Sequence, residues 1–139
     1  MAVDLSGVWK LAAWRKIAQD GSITYPLGED AHGQLVYTET GRMAVQMTAA
    51  NRLLLDTSDP VGGDTQQRAD AYSTCLAYFG SYEVRDDAVV HRIDVSLFPN
   101  WSGAEQLRPF CFNDDQLVLK TPPADTGVVN EIAWVRDTC

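Results

Sequence analysis

Histidine and cysteine are scarce in this chain, which has two of the first and three of the second among 139 residues. His32 and His91 stand far apart, and neither has a ligand neighbour at helical or hairpin spacing. A catalytic zinc site usually draws three protein ligands, so no metal centre is expected. Cys75, Cys111 and Cys139 form no CxxC pair, which argues against a zinc ribbon or a thioredoxin-like site. Their odd number, with an opening Met1-Ala2-Val3-Asp4-Leu5-Ser6 that lacks the basic and apolar parts of a secretory signal, points to reduced thiols and a cytoplasmic setting. Cys75 and Cys111 lie in apolar runs and read as small buried hydrophobes, while Cys139 reads as exposed. No stretch approaches the ~18 uninterrupted apolar residues of a membrane span. The GxSxG, P-loop and GxGxxG patterns are missing, and the Gly62-Gly63 pair has an acidic flank unsuited to phosphate, so no cofactor is implied. Basic side chains are outnumbered 11 to 19, a net charge of −8 that repels nucleic acid and anionic membrane surfaces.

What is present is a globular composition, 45% hydrophobic and 22% charged, at the length of one domain spanning residues 1–139. Period-two alternation dominates. Gln34–Thr38 is a β-rich run, Thr40-Gly41 marks a turn, and Met43, Val45 and Met47 alternate with polar or small residues, so a hairpin is expected. Tyr78, Gly80 and Tyr82 share one strand face. His91, Ile93, Val95 and Leu97 share another, opposite Arg92, Asp94 and Ser96. Gln106–Phe112, Leu117–Lys120 and Glu131–Arg136 read as further strands, with turns at Asp86-Asp87 and Asn113–Asp115. Val8–Ile17 fits either a long bent strand or a helix, and Arg52–Asp56 fits a short extra strand. Thr65–Leu76 is expected as a helix: Ala69, Tyr72 and Leu76 recur at helical spacing, and Asp64 is placed to cap it. The fold class is therefore all-β, eight to ten antiparallel strands with one short helix. A meander this long loses its edges most simply by closing into a barrel.

Several segments resemble a known family. Leu5-Ser6-Gly7-Val8-Trp9 is similar to the opening Gly-x-Trp of lipocalin-like barrels. Gly33–Tyr37 with Gly41-Arg42-Met43, Ala77–Val84, His91, Phe98-Pro99-Asn100-Trp101-Ser102-Gly103, Arg108 and Trp134-Val135-Arg136 resemble a bacterial and fungal lipocalin-like domain family. The resemblance implies a small calycin-type barrel with a central cavity. It implies binding of a hydrophobic small molecule, or isomerisation or cyclisation of one in secondary metabolism.

The aligned faces supply the candidate site. Tyr37, Met43, Val45, Tyr78, Tyr82, Ile93 and Phe110 are the expected apolar lining of a ligand cavity. His91 on its apolar face is either a satisfied core histidine or an acid/base group. Arg108 alternates in step with Gln106 and Phe110, and once buried it needs an anionic partner or a cluster of acceptors. Glu83, Glu105 or an oxygen of the ligand would serve. Its alternative is a structural cation on Trp9, a place that Arg136 also fits. Tyrosine hydroxyls donate to a developing oxyanion or simply reach the barrel rim. The reading is a barrel that binds a hydrophobic, oxygen-bearing small molecule. The alternative is an isomerase or cyclase using His91 as acid/base, with Arg108 or a tyrosine as oxyanion stabiliser. Nothing in the sequence fixes the oligomeric state.

Overall fold

A computed structural model describes residues 3–137. Its strands are β1 (Gly7–Ile17), β2 (Ile23–Thr24), β3 (His32–Tyr37), β4 (Arg42–Thr48), β5 (Cys75–Arg85), β6 (Ala88–Ser96), β7 (Glu105–Asn113), β8 (Gln116–Lys120) and β9 (Val129–Arg136). All ladders are antiparallel, in the order β2-β1-β3-β4-β5-β6-β7-β8-β9, and β1 also pairs with β9. Eight strands thus close into a barrel, with the two-residue β2 added at its edge. The long connections 18–31, 49–74, 97–104 and 121–128 all fall at one end, the mouth. Tight turns close the other end, where Asp86 and Asp114 take positive φ of 48° and 55°.

Alternation produces this arrangement because successive strand side chains face opposite sides. Leu35, Tyr37, Met43, Val45, Met47, Tyr78, Ile93, Leu117, Leu119 and Trp134 turn inward and form the core. Two bulges break the parity. In β1 the register shifts between Leu11 and Ala13, so Trp9, Leu11 and then Trp14 all face the core. That extra residue is what makes Val8–Ile17 look half helical in sequence. Between β5 and β6 the register passes from Phe79↔Val95 to Gly80↔Ile93, which leaves Asp94 unpaired. Val95 and Leu97 are consequently exposed at 53% and 38%, and do not share the inner face of His91 and Ile93 as their spacing suggests.

The helix α1 (Thr65–Ser73) stops three residues earlier than expected, and Leu76 belongs to β5. Its start has the anticipated cap: the Gln67 amide donates to Asp64, and the Gln67 side chain reaches back to the Asp64 backbone. None of its residues is buried, so Ala69 and Tyr72 do not form a core stripe. Arg52–Asp56 forms no strand. The Arg52 guanidinium instead donates to Thr74 Oγ1 and the Ala71 carbonyl, tying the loop to the C-terminal end of α1. Cys75 is half-buried and Cys111 is exposed, because Cys111 takes the outer parity of β7 while Arg108 and Phe110 take the inner one. Cys139 lies outside the described residues.

Candidate functional site

The inner faces of β3, β5 and β6 bring three side chains together. Tyr37 and Tyr78 point inward from separate strands, and His91 lies between them, 1% exposed. The Tyr37 hydroxyl is 2.6 Å from His91 Nε2, and the Tyr78 hydroxyl is 2.8 Å from His91 Nδ1. Both ring nitrogens are thus engaged by phenols. The Tyr82 ring packs at a tilt of 48° against Tyr37, 4.4 Å between ring centroids, and its hydroxyl donates to the Thr38 carbonyl at 2.7 Å.

Arg108 enters the same interior from β7 and is 7% exposed. Among the described residues its guanidinium makes one hydrogen bond, a long one of 3.2 Å from Nη1 to the carbonyl of its own neighbour Leu107. Among the described residues it makes no ion pair. Glu83 and Glu105, the carboxylates the sequence offers, pair with Arg85 and Arg92 on the outer surface instead. The cation-on-tryptophan role belongs to Arg136, whose guanidinium lies 4.3 Å from the Trp9 ring and donates to the Ser6 and Asp4 carbonyls. Arg108 is therefore free of structural duty on Trp9.

Burial and this cation set the titration of the cluster. Burial, then the charge of Arg108, pushes the His91 imidazole down to about 3. Burial raises Tyr78 to about 12, with Arg108 acting in the opposite sense, and raises Tyr37 well above the ordinary phenol range. Burial also lowers the Arg108 guanidinium, while Tyr78 and Tyr37 act to raise it. At neutral pH the two phenols and the imidazole are uncharged, and Arg108 carries the single charge of the cluster.

Of the expected lining residues, Met43, Val45 and Ile93 are buried beside Tyr37 and Tyr78 in the core cluster, and Tyr82 and Phe110 pack against it half-buried. At the mouth, Trp14, Leu27, Leu76, Phe98 and Trp101 line a cavity of about 280 Å³. Trp101, from the short 3-10 turn Pro99–Trp101, lines that cavity and packs edge-on against Tyr78 at 5.9 Å. A larger groove of about 730 Å³ involves His32, Gln34, Gln46, Phe79 and Val95 and reaches Val45 and Tyr78, but His91 and Arg108 do not line it. Among the described residues no group of side chains is arranged to hold a metal ion.

A family profile described as a lipocalin-like domain matches residues 6–134. The chain belongs to the lipocalin-like domain family. The closed eight-strand barrel is the fold this membership entails. Among solved structures, an uncharacterized protein from Bacteroides eggerthii DSM 20697 is similar at 12% identity with a TM-score of 0.47, covering 94% of this chain and 98% of that one. A variant of the fluorescent protein UnaG is similar at 16% identity and a TM-score of 0.44, covering 97% of each chain. No curated protein sequence matches. Among the described residues no helix is long and apolar enough to cross a membrane.

The sequence singled out every member of the cluster but not their connection. His91 and its partners are 54 and 13 residues apart. Only the strand register joins them, Tyr82↔His91 in one ladder and Tyr37↔Met43↔Gly80 across two others.

Proposed function

We propose that this lipocalin-like barrel binds a small hydrophobic molecule whose oxygen-bearing end lies against Arg108, Tyr37, His91 and Tyr78. The observation that carries the reading is Arg108, a buried guanidinium without a counter-charge among the described residues. Burying a charge unpaired costs several kcal/mol, and an anionic or carbonyl oxygen of a ligand would offset that cost. Met43, Val45, Ile93 and Phe110 supply the apolar surface for the rest of the molecule. A cytoplasmic setting is part of this reading, supported by the free thiols of Cys75 and Cys111. A catalytic reading, isomerisation or cyclisation in the same cavity, is favoured by one specific feature, the pair of tyrosine hydrogen bonds that gives His91 a route for protons.

The test is a fluorescence titration with 8-anilinonaphthalene-1-sulfonate, an apolar anion, on the parent and on Arg108→Met. The variant removes an uncompensated buried charge at similar volume, so it should fold with stability equal to the parent or greater. Losing a charge-assisted contact should weaken binding about 10- to 100-fold. A folded Arg108→Met protein that binds the probe as the parent does would overturn the reading.

A further inference from the structure

Protons in the buried triad can be counted. A neutral imidazole carries one ring N–H, and each phenol carries one O–H. That makes three protons for the two hydrogen bonds that join Tyr37, His91 and Tyr78. One proton is always left over, and it sits on a tyrosine. In one arrangement Tyr37 donates to Nε2, Nδ1–H donates to Tyr78, and the Tyr78 hydroxyl is free to donate elsewhere. In the other, Tyr78 donates to Nδ1, Nε2–H donates to Tyr37, and the Tyr37 hydroxyl is free. Both are uncharged, so the core holds either without the expense of a buried ion.

The remaining polar groups of this core lean the same way. Arg108 offers five N–H donors and no acceptor, and one weak bond uses one of them. Trp134 Nε1–H is buried with no hydrogen-bond partner among the described residues. The interior thus presents donors left over and carries one positive charge.

We propose that Tyr37, His91 and Tyr78 form a two-state hydrogen-bond switch that selects, beside Arg108, a ligand head group that is ionised and only accepts hydrogen bonds, such as a carboxylate or an enolate. A bound acceptor takes the spare hydroxyl proton in a hydrogen bond and thereby fixes the tautomer of His91. An ammonium group is repelled by Arg108, and an alcohol or an amide gives up the charge-assisted hydrogen bonds that a carboxylate makes with that guanidinium. This rests on the function proposed above and adds the chemical class of the ligand.

The experiment follows the ¹⁵N resonances of the His91 ring while decanoate, decanol or decylammonium is added, with affinity measured by displacement of the fluorescent probe. In the free protein both ring nitrogens should lie between the pyrrole-like and pyridine-like positions, because the two arrangements exchange. Decanoate should bind at least tenfold more tightly than decanol or decylammonium and drive His91 to a single tautomer. Tyr78→Phe and Tyr37→Phe should lock the free protein in opposite tautomers, since each leaves a bare lone pair on the unpartnered nitrogen in preference to an orphaned N–H. Equal affinity for decanoate and decanol, or a His91 tautomer that neither decanoate nor the two variants change, would overturn the switch. If decanoate is preferred while the tautomer stays fixed, the switch fails and the binding reading stands. If neither the probe nor any of the three ligands binds, both fail.

Discussion

His91 shows how much a single enclosed side chain can impose on a protein. Its folded value of about 3 lies below the ordinary value of about 6.5. Between these two values the unfolded chain takes up a proton at this position that the folded barrel does not accept. Stability is therefore complete above about pH 6.5 and falls on acidification, by up to about 1.4 kcal/mol per pH unit. Asp4, Asp20 and Glu83 have carboxyls held below the usual range by hydrogen bonds, so their own loss of stability comes as pH falls through the ordinary carboxylate range and adds little between pH 7 and pH 5. Urea denaturation at pH 7 and pH 5 should show a loss of about 2 kcal/mol in the parent. His91→Gln, which has no proton to gain, should lose that part of the pH dependence. An unfolding midpoint in the parent that stays constant across this range would contradict the burial assigned to the imidazole.

At the scale of elements, the bulges decide which side chains reach the core. Gly80 faces inward beside the β6 bulge, where a Cβ would collide with the Arg92 carbonyl. Gly80→Ala must force the two backbones apart, and a loss of about 3 kcal/mol is expected, the upper range for overpacking. Chemical denaturation measures it, and a loss under about 0.5 kcal/mol would mean the ladder relaxes freely there. The same bulge marks where the sequence stops being readable. Alternation announces Met43, Val45, Met47, Arg108 and Phe110 as inward-facing, and they are. It also announces Val95, and fails, because one unpaired residue at Asp94 inverts every later side chain on that strand. A bulge is a property of two strands together, and one strand's pattern carries no sign of it. The helix errs for a related reason: Ala69, Tyr72 and Leu76 have helical spacing, but Leu76 is drawn into the ladder with Met47. The candidate site is legible to the same extent. His91 and Arg108 stand out as polar groups on apolar faces. That Glu83 and Glu105 turn outward to Arg92, leaving Arg108 without an ion pair among the described residues, requires both faces of β5, β6 and β7 to be placed at once.

Across the whole molecule, the acidic surface and the cationic interior oppose one another: a chain of net charge −8 encloses Arg108 in its core. The barrel that separates them is completed by one seam. β1 pairs with β9 from Trp9↔Arg136 to Ile17↔Val129, so the closing ladder joins residues more than a hundred positions apart. During synthesis, the first strand emerges long before its last partner. Until then the outer edge of β1 is an unpaired row of amides and carbonyls, a template for pairing with another chain. Closure must also offset the entropy of a loop that includes most of the polypeptide, which places folding in the slow, millisecond-to-second class of all-β topologies. A chain shortened by residues 129–139 should lose its cooperative unfolding transition and elute from a sizing column as aggregates. A compact, cooperatively unfolding monomer would show that the seam is dispensable. The ordering of events is thus written into the ladder: every other hairpin can form as it is made, but the interior that encloses Arg108 comes into being only when the final strand arrives.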